Sequence, residues 1–227
     1  MWTSCEESET LPVLSDDEFF PLAVGYYQIY QAEETIYSEL NEPVYNTYEL
    51  KVMVVDSFQN LSGSITYVIH RFTRLAGLDT YEYLDTWSAR KEADQVVVEE
   101  GNTAFIKLAY PLVIGKQWNG NALNDLGGEQ SCGENPSSAC DIYRVESMGS
   151  VSINGLSFND TLEVLLNNNT DPIVKQDIRK EIYARNVGLV YKETSILEYC
   201  TVGSCIGQQQ IDKGIESKLT LVEYGNK

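Results

Sequence analysis

Two stretches, YELKVMVVDSF (48–58) and SITYVIHRFTR (64–74), flank the turn-forming cluster QNLSG (59–63). Runs this rich in β-branched and aromatic residues, broken by Asn, Ser and Gly, predict an antiparallel hairpin over residues 45–74. The same grammar recurs along the chain. YYQIYQAEETIY (26–37), YEYLDTWSAR (81–90), QVVVEE (95–100) and TAFIKLAY (103–110) read as strands, the last two joined across Gly101-Asn102. DIYRVESMGSVSI, LSFNDTLEVLLNN, IRKEIYARNVGLVYKETSILEYC and ESKLTLVEYG continue the pattern to the end. One segment, TDPIVKQDIRKE (170–181), is a candidate short helix, with Asp171 as cap and Pro172 in its first turn.

No βαβ alternation is present, so the expectation is all-β. Roughly ten strands would form an antiparallel meander, closed as a barrel or split into a two-layer sandwich, with at most one short helix. The 15 tyrosines suit such a sheet, because the ring packs on the sheet while the hydroxyl stays at the rim. Residues 1–18 read as an acidic tether and 19–227 as one β domain. Within that domain, residues 111–140 are rich in Gly, Asn and Ser and predict a long loop; loops of that length are functional or mobile.

Charge and cysteine content narrow the function. The 34 acids against 16 bases give a net charge of −18, which repels nucleic acid and anionic lipid headgroups. No stretch approaches the roughly 18 apolar residues that a membrane-spanning helix needs. Of the five cysteines, Cys132 and Cys140 form one close pair and Cys200 and Cys205 another, each in turn-rich sequence. Local disulfides Cys132–Cys140 and Cys200–Cys205 are the expectation, and they imply an oxidising compartment. A zinc site and free thiols are the alternatives, but the spacings are loose for zinc and the only histidine is His70. Cys5 is left over, and lipidation accounts for it: two or more acyl chains on one residue give stable membrane anchoring.

The segment WTSC followed by EESE (2–9) resembles the maturation site of Gram-negative bacterial lipoproteins, with Thr3 and Ser4 at the small-residue positions before Cys5. Trp2 stands where that family usually has Leu, Ile or Val. The acids after Cys5 are similar to the export signal of surface-exposed lipoproteins in gut and gliding bacteria. FFPLAVGYYQIYQAEETIY and EIYARNVGLVYKE resemble segments of uncharacterised outer-membrane lipoproteins of those bacteria, and Asp160–Leu162 resembles their O-glycosylation sequence. The resemblance implies a processed signal peptide, lipid at Cys5 and an outer-membrane, cell-surface location. It assigns no reaction.

Searches for chemistry return little. His70 lies mid-strand beside Arg71, and no G-x-S-x-G elbow occurs, so nucleophilic catalysis has no candidate. Carboxylate pairs for glycoside hydrolysis exist by number, but none is singled out. NGNALND has oxygen ligands in a loop but one carboxylate, so no metal is assigned. Trp118, Asn119 and Asn121 in the long loop are the candidate ligand contacts. The expectation is a non-enzymatic lipoprotein without cofactor beyond its lipid, acting as an accessory subunit of an outer-membrane protein assembly. Lipid binding in a barrel, glycan binding on aromatics, and a carboxylate hydrolase are the alternatives.

Overall fold

The computed structural model describes residues 15–126 and 141–227. Twelve antiparallel strands form a single sheet that curls into a nearly closed barrel. They are β1 (Tyr26–Ser38), β2 (Asn41–Gln59), β3 (Ile65–Leu75), β4 (Glu82–Lys91), β5 (Gln95–Glu100), β6 (Thr103–Ala109), β7 (Gln117–Asn119), β8 (Ile142–Ile153), β9 (Leu156–Asp171), β10 (Lys175–Ala184), β11 (Gly188–Tyr199) and β12 (Ile211–Asn226). Strands run in sheet order β6-β5-β4-β3-β2-β1-β12-β11-β10-β9-β8-β7, so each half is a meander and β1 joins the halves through β12.

The strand count is twelve, not ten. The extra strands are the short β7 and the split of residues 175–199 into β10 and β11 at the Asn-Val-Gly turn. There Asn186 (φ 62°) and Gly188 (φ 85°) take the left-handed conformations that the turn requires. The helix candidate at 170–181 is instead a tight turn followed by β10, because Ile178, Ile182 and their neighbours find partners on both β9 and β11. Tertiary pairing overrides a weak local cap. Among the described residues the only helical elements are 3₁₀ turns at Asp16–Phe19 and Gly203–Cys205.

With an even number of antiparallel strands, both chain ends emerge at the same end of the barrel, here called proximal. Lys227 N donates to Gly25 O there (3.1 Å). The β1–β2, β3–β4, β5–β6, β9–β10 and β11–β12 connections lie at the opposite, distal end, as does the connection after β7.

The sheet closes along one seam, where β6 meets β7. Ile106 N donates to Gly120 O (2.9 Å), Trp118 Nε1 donates to Ile106 O (2.9 Å), and Asn124 Nδ2 donates to Ala104 O (2.7 Å). Gly120 is required here: a Cβ at that position would sit 2.2 Å from the ring of buried Tyr143. The barrel wall points charged residues outward, as in the row Thr47, Glu33, Lys218, Glu193 across β2, β1, β12 and β11. Apolar residues fill the bore. One cluster includes Val54, Ile69, Val96, Leu108, Leu162 and Val164; a second includes Tyr30, Leu50, Val190 and Leu221. This is the reverse of a porin-type wall, which is apolar outside and polar within.

Candidate functional site

Three features of the barrel could carry function: the proximal plug, the charged group inside the bore, and the distal turns.

The proximal end is stoppered by the chain that enters it. The 3₁₀ turn Asp16–Phe19 lies across the mouth with Phe19 fully buried beneath the Arg185 guanidinium, 4.4 Å from ring centroid to Cζ. Polar contacts lock the turn to three separate connections between strands, β4–β5, β6–β7 and β10–β11. Lys91 Nζ donates to Asp17 O (2.7 Å), and Leu112 N donates to Asp16 Oδ2 (2.8 Å). Asn186 N donates to Glu18 O (2.8 Å), and Arg185 Nη1 donates to Ser15 O (2.6 Å). Residues 16–18, expected within the tether, are therefore part of the docked plug.

Across the bore, Lys107 on β6 meets Glu100 on β5 (2.7 Å) and Glu181 on β10 (3.4 Å). Lys192 on β11 reaches the same Glu181 oxygen (3.3 Å), and Tyr183 OH donates to its other oxygen (2.5 Å). Lys107 aims inward because of a bulge: Val96 pairs Leu108 and Val97 pairs Ile106, leaving Lys107 as the extra residue. The group ties opposite walls of the barrel together. Two ammonium and two carboxylate groups balance, which satisfies the demand that buried charge be paired.

Burial by itself would raise the Glu181 carboxyl, but the Lys107 and Lys192 charges and the Tyr183 hydroxyl outweigh it and hold the group down at about 2. Burial would likewise raise Glu100; Lys107 and Lys192 depress it. Burial would lower Lys107; Glu100 and Glu181 raise it above the ordinary ammonium range. Carboxylates depressed on folding contribute stability above their unfolded pKa and lose it as pH falls towards the folded value. Thermal stability is therefore expected to hold near neutrality and fall between about pH 4.5 and pH 2. Calorimetry across that range measures it, and a melting temperature unchanged down to pH 2.5 would contradict the pairing.

The sequence did not single out this group. The available signal was a lone lysine inside the apolar run TAFIKLAY and a glutamate between apolar neighbours in KEIYA. A strand pattern without pairing cannot show that they meet.

Residues marked from sequence fall in three places. Trp118 is half-buried in the seam, packed edge-on against Tyr143 (5.9 Å). Asn119 Oδ1 accepts from Asn121 N (2.9 Å), and Asn121, only 3% exposed, donates to Asp141 Oδ2 (2.8 Å). These three build the loop after β7 and pin it to Arg179, which holds Asp141 through both Nη atoms. Cys200 and Cys205 form a disulfide (Cα–Cα 5.8 Å) in the distal β11–β12 connection. Cys5, Cys132 and Cys140 lie outside the described residues. His70 is on the outer wall among Phe72 and Tyr83, with rings 67–80° apart, so no coplanar platform for a sugar forms there. Among the described residues no group of His, Cys, Asp and Glu has the proximity a metal site needs, and no helix is long and apolar enough to cross a membrane.

The distal turns are apolar and acidic at once. Leu40 is 91% exposed and Val202 72%, and Leu78, Leu126, Ile173 and Ile206 are also exposed. The segments 39–42, 78–82, 124–126 and 171–174 carry Glu39, Glu42, Asp79, Glu82, Asp125 and Asp171 and no Lys or Arg.

No protein-family model matches the chain. No curated protein matches it either. Solved structures similar to it include a protein provisionally described as exported, with a YmcC-like fold, from Bacteroides fragilis NCTC 9343. It is 14% identical over 92% of this chain and 99% of that one, with a TM-score of 0.43. Another is a provisionally described lipoprotein from Parabacteroides distasonis ATCC 8503, 9% identical over 91% and 98% of the two chains, with a TM-score of 0.40.

Proposed function

We propose that this chain is a non-enzymatic lipoprotein of the outer membrane, anchored through Cys5, whose barrel docks a protein partner through its distal turns. The observation that carries the reading is the opposed placement of the two ends. The plug fixes the point where residues 1–14 leave the barrel, and the distal turns that are both apolar and acidic face the other way, although Leu61, Val113 and Ile114 are exposed at the proximal end as well. A lipid on Cys5 would thus hold the proximal end towards the bilayer and present the distal turns outward. The outward-charged wall suits a domain held beside a membrane rather than within one.

The acids around the apolar turns select the partner's chemistry. A second copy of the chain would set acid against acid. A surface with an apolar centre and a basic rim matches, and its association would weaken with salt. The lipid-in-barrel alternative finds little support: the bore holds a cavity of about 110 Å³, smaller than the roughly 150 Å³ of a cavity that takes up benzene and too small for an acyl chain.

Two measurements test the two halves of the reading. Intact mass of the native protein is expected to show a diacylglyceryl-plus-acyl increment on Cys5; a bare thiol there removes the anchor. In crosslinking on whole cells, Leu40→Glu with Ile173→Glu is expected to cut the yield of a crosslinked partner at least tenfold without lowering the melting temperature. An undiminished yield removes the distal interface.

A further inference from the structure

We infer that the cavity in the bore is a binding site for a small neutral alcohol, with phenol close to the upper size limit. It lies between the plug and the charged group, with Phe20, Tyr30, Val52, Trp87 and Leu219 among its apolar walls. Its volume of about 110 Å³ falls below the 150 Å³ of an engineered apolar cavity that holds benzene, so the occupant is limited to about four to seven non-hydrogen atoms. That apolar lining excludes strongly hydrated solutes.

The other end of the cavity is formed by Glu100, Lys107, Glu181 and Lys192. Their charges already cancel, and Arg71, which also lines the cavity, is paired with Asp85 (2.7 Å), so an ionic ligand would leave a net charge buried in the barrel; a neutral ligand would not. Glu100 Oε1 is buried with the Lys107 ammonium 2.7 Å away, and a carboxylate oxygen can accept a further hydrogen bond through its second lone pair. A hydroxyl at that end can donate to the Glu100 carboxylate while its ring or alkyl part fills the apolar walls. This site is independent of the distal interface and of the lipid anchor.

Phenol and benzene, nearly equal in size, separate the contributions of the two ends. Titrated into the full chain at about ten times its dissociation constant, phenol is expected to raise the melting temperature by about 3–5 °C. It is also expected to shift the amide resonances of β2, β5 and β12 around the cavity. Benzene is expected to bind at least tenfold more weakly. Val52→Phe, which fills the space, is expected to abolish both responses. Glu100→Gln is expected to weaken phenol about tenfold and leave benzene unchanged. Equal affinity for the two probes overturns the hydroxyl contact. A response that survives Val52→Phe, or no response at all, overturns the site. If Val52→Phe does not fold, Leu219→Phe replaces it. Independently, a xenon-pressurised crystal of the wild type must show xenon within these walls, and an empty bore sinks the inference.

Discussion

Replacing Glu181 by glutamine is expected to lower the melting temperature by about 6–12 °C, measured by calorimetry at pH 7. The residue is 2% exposed and is the hub of the charged group, taking contacts from Lys107, Lys192 and Tyr183. Removing one partner from a buried ion pair costs about 3–5 kcal/mol, because the remaining charge stays in a medium that solvates it poorly. Glu100 still pairs Lys107 in the variant, which places the cost near the bottom of that range. At 227 residues, each kcal/mol moves the transition by about 2–4 °C. The sign of a second change separates pairing from mere packing. Adding Lys192→Met to Glu181→Gln is expected to recover part of the loss, since the carboxylate contact of Lys192 is with Glu181 and the orphaned ammonium goes with the second change. Additive losses in the double variant would show that the two groups do not interact.

Phe19→Ala is the second large effect. The ring is wholly buried at the proximal mouth and stacked under Arg185, and truncating a buried phenylalanine costs about 3–5 kcal/mol. A melting temperature about 6–20 °C lower is expected. Because Phe19 anchors a segment rather than a strand, the loss has a local signature. Glu18, whose carbonyl accepts from Asn186, should become a cleavage site for a glutamyl endopeptidase before the barrel melts. A variant that melts within 2 °C of the wild type, with Glu18 still protected, would show that the plug contributes nothing.

How much of this was readable beforehand depends on the range of the forces involved. Hairpins are local. The turn at Gln59–Gly63 and the Gly101-Asn102 link were legible because the residues that need left-handed backbone announce themselves, whereas the Asn-Val-Gly corner between β10 and β11 was not read as a strand break. The β character of nearly the whole chain was legible for the same reason. Barrel closure was not. It depends on β1 pairing with β12, residues almost two hundred positions apart, and on a seam whose backbone link is a single hydrogen bond to Gly120. Residues 170–181 misled because a cap motif is a short-range cue that cross-strand pairing on both sides outweighs. The charged group was invisible because three bulges, at Lys107, Leu166 and Val190, change which side chains enter the bore, and an alternation pattern cannot foresee a skipped residue.

The cysteines and the distal turns divide in the same way. The Cys200–Cys205 pairing was the expectation from sequence, with zinc and free thiols as the alternatives, since the four residues between the cysteines are turn-forming and include Gly203. That Leu40, Leu78 and Ile173 would meet at the distal end was not legible, because they come from hairpins far apart in sequence and only strand parity brings their tips together.

The seam at β6 and β7 has a mechanical corollary. Eleven junctions between neighbouring strands are hydrogen-bonded ladders, whereas the twelfth relies on three contacts around Ile106, Trp118 and Asn124. A tube stitched that way yields along one line. Local opening is therefore expected to start there, with the Ile106 amide exchanging its hydrogen ahead of amides held in the ladders of the other junctions.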